Sequence, residues 1–118
     1  RPAPGRHSVW ELAVHAAYWK YAVRRLLTGE KRGSFPFAGS NWFPRPAGDP
    51  SDAAFKADLA VLAQQHRLLV QAVSQVRRAE LEKKAPGSQY TRSRLIQGAA
   101  AHDLYHAGQI QLLKRLRP

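Results

Sequence analysis

The chain has 118 residues and a formal charge of +11, from 19 Lys and Arg against 8 Asp and Glu. This length allows one domain with one core, and a hydrophobic content of 44% favours a globular fold over disorder. The sequence has no cysteine, which excludes disulfides, thiolate metal sites and a Cys nucleophile, so any metal must be held by His, Asp or Glu. The cations are scattered, a distribution more typical of a solvated surface than of a nucleic-acid-binding stripe.

The sequence contains neither a membrane span nor a signal peptide that we recognise. No stretch approaches the ~18 continuous apolar residues that a spanning helix needs. We therefore expect a cytoplasmic protein without membrane association, folded as a single domain over residues 1–118.

The first predicted helix begins after Ser8 and ends at Thr28. Ser8 and Glu11 have the spacing of a capping box, and Gly29 is a typical residue for ending a helix. The stripe predicted to face inward consists of Leu12, His15, Trp19, Ala22 and Leu26. His15 is the one imidazole in this otherwise apolar stripe, which makes it a candidate ligand.

A long loop is predicted over residues 29–50, between the first and second helices. It is rich in Gly and Pro and carries four aromatic residues, Phe35, Phe37, Trp42 and Phe43. Aromatic residues in such a loop usually cover one end of the core. The alternative is that they wall a substrate pocket, for which Trp42, Phe43 and Trp19 of the first helix are the candidates.

The second predicted helix begins with Ser51 as its N-cap, fades near residues 77–84 and is broken by Pro86-Gly87-Ser88. His66 lies on its inward stripe, but between Gln65 and Arg67 in a polar part of the helix. A flanking or hydrogen-bonded histidine is the more typical role at such a position.

The last predicted helix begins near Thr91–Ser93 and continues to about Leu116, and its inward stripe includes His102 and His106. Residues four apart on a helix project from the same face one turn apart, so the two imidazoles can reach one cation if a third ligand is available. No strand-like alternation of useful length appears, and the predicted fold class is all-α.

The inward positions of His15, His102 and His106 on two helices raise the possibility of a shared metal site. Taken singly, an inward histidine is more often a hydrogen-bonded core residue than a ligand. The i, i+4 pair together with a third inward histidine favours a metal site. Three histidine ligands leave one coordination position for water or substrate, an arrangement typical of catalytic centres. From spacing alone, the structural and the metal-binding roles both stay open.

Two segments resemble the DinB-like (DinB/YfiT-like) superfamily of metalloproteins. HSVWELAVHAAYWKYAVRRLLTG is similar to the helix that carries the first ligand, and LIQGAAAHDLYHAGQIQLLKRL is similar to the closing helix with its HxxxHxxQ pattern. The resemblance implies a four-helix bundle with a divalent metal on His15, His102 and His106. The metals it implies are zinc or nickel, or alternatively iron. It further implies a homodimer, a small-molecule substrate and, in members of known activity, a low-molecular-weight thiol.

The family fold has a helix before the first ligand helix, and this sequence shows no counterpart to it. We expect either an N-terminal segment or a partner subunit to cover the apolar stripe that would otherwise be exposed. Gln109 and Asp103 are candidates for supporting the metal ligands from behind. Asp103 is offset about 100° from His102, so it is a poor counterpart of the general base of zinc proteases.

The leading hypothesis is a metal-dependent transferase or hydrolase that acts on a small molecule and could use a thiol. The alternative is a basic nucleic-acid-binding protein or a helical interaction module with structural histidines. Nucleic-acid binding would show an affinity that falls steeply with salt.

Overall fold

The fold is all-α, in agreement with the sequence prediction. A computed structural model describes residues 8–45 and 52–115, apart from the side chains at positions 52 and 113. The helices are α1 (Val9–Thr28), α2 (Asp52–Ser74), a 3₁₀ helix (Arg78–Glu80) and α3 (Arg92–Arg115). The predicted N-cap at Ser51 and the predicted helix end at Leu116 lie outside the described residues.

Both ends of α1 follow from local hydrogen bonding. The Ser8 hydroxyl accepts from the Glu11 backbone N–H at 3.1 Å, and the Glu11 carboxylate accepts from the Ser8 N–H at 2.9 Å, which completes the predicted capping box. At the other end Gly29 has φ 76°, a left-handed conformation that costs glycine little, and its N–H donates to the Arg25 carbonyl at 2.8 Å. These local signals explain why both predicted boundaries are confirmed.

Helix α1 is the central element and packs against both other long helices. Trp10 at the start of α1 meets Phe55 at the start of α2 edge to face at 6.2 Å, and Leu27 near the end of α1 shares a cluster with Leu69 near the end of α2, so the two helices run parallel. Helix α3 runs antiparallel to α1, with the start of α3 near the end of α1. Because α1 has neighbours on several sides, it is buried well beyond the predicted stripe, at Val14, Ala17, Tyr21 and Val23 among others.

Two apolar clusters lie at opposite ends of α1. One joins the three helices through Val23, Leu27, Leu69, Ala85 and Leu95. The other consists of Trp10, Val14 and Phe43, with Tyr18, Phe35, Phe37 and Phe55 packed against them. The long loop therefore supplies aromatic side chains to one end of the core, and on α1 His15 is at the level of this aromatic cluster.

Helix α2 ends earlier than its sequence pattern suggested. The Ser74 hydroxyl donates to the Gln71 carbonyl at 2.7 Å, and the N–H groups of Gln75 and Val76 bond three residues back rather than four. A serine hydroxyl that takes a backbone carbonyl competes with the helix, and i→i−3 bonds tighten its last turn. The apolar periodicity continues to Val76, which is why the pattern alone placed the end too late.

The connection between the 3₁₀ helix and α3 is anchored to the end of α1. The Gly87 N–H donates to the Leu26 carbonyl at 2.9 Å, and a β-carbon at position 87 would lie only 2.9 Å from that oxygen. Helix α3 then begins where Thr91 Oγ accepts from the Arg94 N–H at 3.1 Å. This close approach fixes the start of α3 beside the end of α1. It thereby also fixes the position along α1 at which the α3 histidines lie, which is beside His15.

A groove remains between α2 and α3, which pack on α1 more than on each other. It encloses a cavity of about 390 Å³ and includes Val70, which is 52% exposed. In the part of the chain that the structure describes, no helix is both long enough and apolar enough to cross a membrane.

Candidate metal centre

The structure brings His15 of α1 together with His102 and His106 of α3. The Nε2 atoms of His15 and His102 are 3.2 Å apart, and those of His102 and His106 are 3.0 Å apart. The candidate ligand atoms all lie within 4.8 Å of one another, so the three histidines could hold one divalent metal ion. The antiparallel packing of α3 on α1 produces this convergence, since no local signal in either helix requires it.

The loop orients His15. Its Nδ1 donates to the Asn41 carbonyl at 2.8 Å, and its ring stacks on Trp42 with 3.7 Å between centroids and 2° between planes. Asn41 has φ 65°, a left-handed conformation that Asn tolerates better than most residues, and its side-chain oxygen accepts from Trp19 Nε1 at 2.9 Å. With the proton on Nδ1, the His15 Nε2 presents a lone pair toward α3.

His106 is oriented within its own helix. Its Nδ1 donates to Oε1 of Gln109, one turn further along α3. The Gln of the HxxxHxxQ pattern is thus the hydrogen-bond partner of His106, and with the proton on Nδ1 the His106 Nε2 presents a lone pair. Orientation of a histidine through its second ring nitrogen is typical of metal ligands.

His102 lies between the other two imidazoles and resists protonation. Burial, together with the nearby His106 and His15, lowers the pKa of His102 to about 4, although Asp103 acts in the opposite direction. The imidazole is therefore neutral at physiological pH and carries one proton. That proton can be directed along at most one of the two short contacts that His102 Nε2 makes, so at least one contact has no hydrogen between its two nitrogens.

Three converging lone pairs are the donor set that a divalent transition metal requires. Metal–nitrogen bonds of 2.0–2.1 Å at tetrahedral angles place the nitrogens about 3.3–3.4 Å apart, close to the 3.0 and 3.2 Å observed here. The residues present thus fit a metal, and three imidazole ligands leave a coordination position for another ligand.

Asp103 contacts a cation of α1. Its Oδ2 accepts from Nζ of Lys20, and the Lys20 side chain is 9% exposed against 40% for Asp103. The effect of Asp103 on His102 is electrostatic: its negative charge acts to raise the pKa of that imidazole.

The remaining candidate residues fall in different places. Trp42 covers His15, and Trp19 lies 5.4 Å from His102 between ring centroids and lines a cavity there. Phe43 is 4% exposed and packs in the aromatic cluster at the start of α1. His66 lies on α2, exposed, and lines the α2–α3 groove instead of joining the cluster.

Two residues beside the histidines, Asn41 and Lys20, were not predicted from the sequence. Asn41 follows Gly39 and Ser40 in the loop, and an Asn in such a stretch is a signal for a left-handed residue. Lys20 follows Trp19 on α1 and reads as a surface cation, although it is 7% exposed. No feature of the sequence indicated its pairing with a residue 83 positions away.

Helices α1 and α2 run parallel, α3 runs antiparallel to α1, and three histidines meet between α1 and α3. These features define a helical-bundle protein with a candidate metal centre. A family model described as the DinB superfamily matches residues 1–110. The chain belongs to the DinB superfamily. Searches of curated proteins and of solved structures returned no significant match.

Proposed function

We propose that this chain is a metal-dependent enzyme in which His15, His102 and His106 hold a divalent ion, zinc or nickel before iron. The observation that supports this most directly is the orientation of the rings: His15 and His106 each donate their Nδ1 proton to an oxygen, which directs their Nε2 lone pairs toward His102. Holding a histidine through its second ring nitrogen in this way is typical of metal ligands.

The proposed reaction is a transfer or hydrolysis on a small molecule, with a low-molecular-weight thiol as the candidate co-substrate. When bound, the metal would supply Lewis-acid activation of a water or thiol. The chain's own residues orient the imidazoles: Asn41 and Gln109 each accept a hydrogen bond from one of them, and burial suppresses protonation of His102. The stacked Trp42 ring excludes water from one side of His15. We further propose a homodimer located in the cytoplasm.

Metal titration of the purified protein tests the site. We expect one zinc or nickel ion per chain by calorimetry and elemental analysis, and a tetrahedral absorption spectrum with Co²⁺. His102→Ala should abolish binding, whereas the matched His66→Ala should retain it because His66 lies in another groove. A wild-type protein that stays empty after incubation with zinc and nickel would contradict the proposal, and so would equal loss in both variants.

Assays of activity then address the reaction. Metal-loaded protein should accelerate transfer of a thiol to a small electrophile, or hydrolysis of an ester, and the His102→Ala variant should not. A metal-loaded protein without either activity would leave the metal site standing and remove the proposed reaction classes.

A further inference from the structure

The three imidazoles are not equally accessible. His15 is 4% exposed beneath Trp42, and His106 is 7% exposed. His102 is only partly buried, and it lines a cavity of about 340 Å³ between α1 and α3. Approach to the cluster through this cavity therefore leads to His102, and the volume is in the range of small-molecule sites.

The cavity walls combine an apolar floor with aromatic and cationic edges. Val23, Leu26 and Leu95 supply apolar surface, and the indole of Trp19 stands beside His102. At the far end the Arg94 guanidinium lies 4.6 Å from the centroid of the Tyr90 ring. These features suit a ligand with a flat or extended apolar body.

The charges of the cavity favour an anion. Lys20 and Arg94 are its cations and Asp103 its carboxylate. Lys20 is neutralised by Asp103, whereas no ion pair of Arg94 is found within residues 8–45 and 52–115. The Arg94 guanidinium is therefore available to bind an anionic ligand. A guanidinium binds a carboxylate through two parallel hydrogen bonds.

The helix sets the length of that ligand. Arg94 and His102 are eight residues apart on α3, which corresponds to about 12 Å along the axis. Gly98 lies between them, and a β-carbon built there meets nothing within 4 Å. Since a helical side chain leans toward the N-terminus, the missing side chain at Gly98 keeps the space in front of His102 open.

We propose that this cavity binds the substrate, a small carboxylate with an extended apolar body whose carboxylate contacts Arg94 and whose far end reaches His102. The inference rests on the metal-dependent function proposed above, and it names the substrate class and the side from which the substrate reaches the histidines.

The test uses para-fluorophenylbutanoate and its neutral amide, with binding to the metal-free protein followed by fluorine NMR. The carboxylate should bind more tightly than the amide, and Arg94→Gln should weaken the carboxylate about fivefold and remove the difference. Gly98→Leu should abolish binding of both. The matched Gly108→Leu, at another open glycine of α3, should retain binding.

Ala100→Leu separates the two cavities, because Ala100 lines the α2–α3 groove and not the cavity beside His102. Binding that is lost in Ala100→Leu but kept in Gly98→Leu would place the ligand in the wrong groove and overturn the proposal. Equal affinity for the carboxylate and the amide, or no binding of either up to its solubility limit, would overturn it as well.

The orientation of the bound probe is measured by fluorine NMR with protein loaded with Co²⁺. The fluorine is at the end opposite the carboxylate, so the proposed pose brings it to the histidines and should broaden its resonance strongly. If Co²⁺ binds and the bound probe is not broadened, the proposed pose fails while the metal centre stands. If Co²⁺ does not bind, the metal centre fails, and the metal-free titration still decides whether the cavity binds the carboxylate.

Discussion

Lys20 and Asp103 form an ion pair whose two members differ greatly in exposure, and the two single substitutions should therefore have unequal effects. The Lys20 side chain is 9% exposed and that of Asp103 is 40% exposed. Asp103→Ala leaves an ammonium group buried without its carboxylate. Lys20→Met leaves a carboxylate that can turn toward water and replaces the cation with an apolar chain of similar length.

The magnitudes follow from this difference. Removing one partner of a fully buried pair costs about 3–5 kcal/mol, whereas exposed pairs contribute about 0–1 kcal/mol. Because one partner here is partly solvated, we expect Asp103→Ala to lower the free energy of unfolding by about 2–3 kcal/mol. Lys20→Met should lower it by about 1 kcal/mol or less, since its remaining carboxylate keeps contact with water.

Urea unfolding of the metal-free protein, followed by circular dichroism, measures both effects. With a slope of about 1–3 kcal/mol per molar urea, Asp103→Ala should reduce the midpoint by roughly 1–2 M. The double variant should recover most of the loss, because it removes the buried charge as well. Glu82→Ala, which removes an exposed carboxylate near the 3₁₀ helix, is the control for a change in net charge.

Two results would contradict this expectation: Lys20→Met that destabilises the protein as much as Asp103→Ala, or a double variant as unstable as the sum of the two. Either result would mean that the ammonium is not confined to the buried position from which the asymmetry is derived.

Three further predictions concern the loop, pH and the close turn. Asn41→Val forces a β-branched residue into a left-handed conformation, which should displace the backbone carbonyl that orients His15 and weaken zinc binding about 10–100-fold by calorimetry. Asn41→Gly tolerates that conformation, so the carbonyl stays in place and binding should remain near wild type; equal losses would contradict this. Since the pKa of His102 is about 4 in the fold against 6.5 unfolded, the unfolded chain binds more protons between these values, so metal-free protein should lose stability as the pH falls from 6.5 toward 4. His102→Ala should flatten that part of the stability profile, and an unchanged profile would rule out this origin. Gly87→Ala should lower the urea-unfolding free energy by about 1–3 kcal/mol, because the new β-carbon meets the Leu26 backbone, and an unaffected variant would show that the turn can shift freely.

The amino-acid sequence determined the features that depend on residues close together in the chain. The Ser8–Glu11 capping box and Gly29 place both ends of α1, and the spacing of His102 and His106 puts them on one face of α3. Gln109 belongs to the same group, because its bond to His106 is made within one turn of helix. In each case the interaction forms within a few residues, so a local pattern is sufficient to predict it.

Only the tertiary structure decided the features that depend on how the helices pack. The parallel course of α1 and α2, the distance from His15 to His102, and the burial of Lys20 against Asp103 join residues far apart in the chain. Sequence periodicity shows which face of a helix is apolar but not which partner covers it or at what level the partners meet. The Asn41 carbonyl is the clearest case, because a backbone group has no signature in the sequence and it acts on His15 only after the loop has folded across α1.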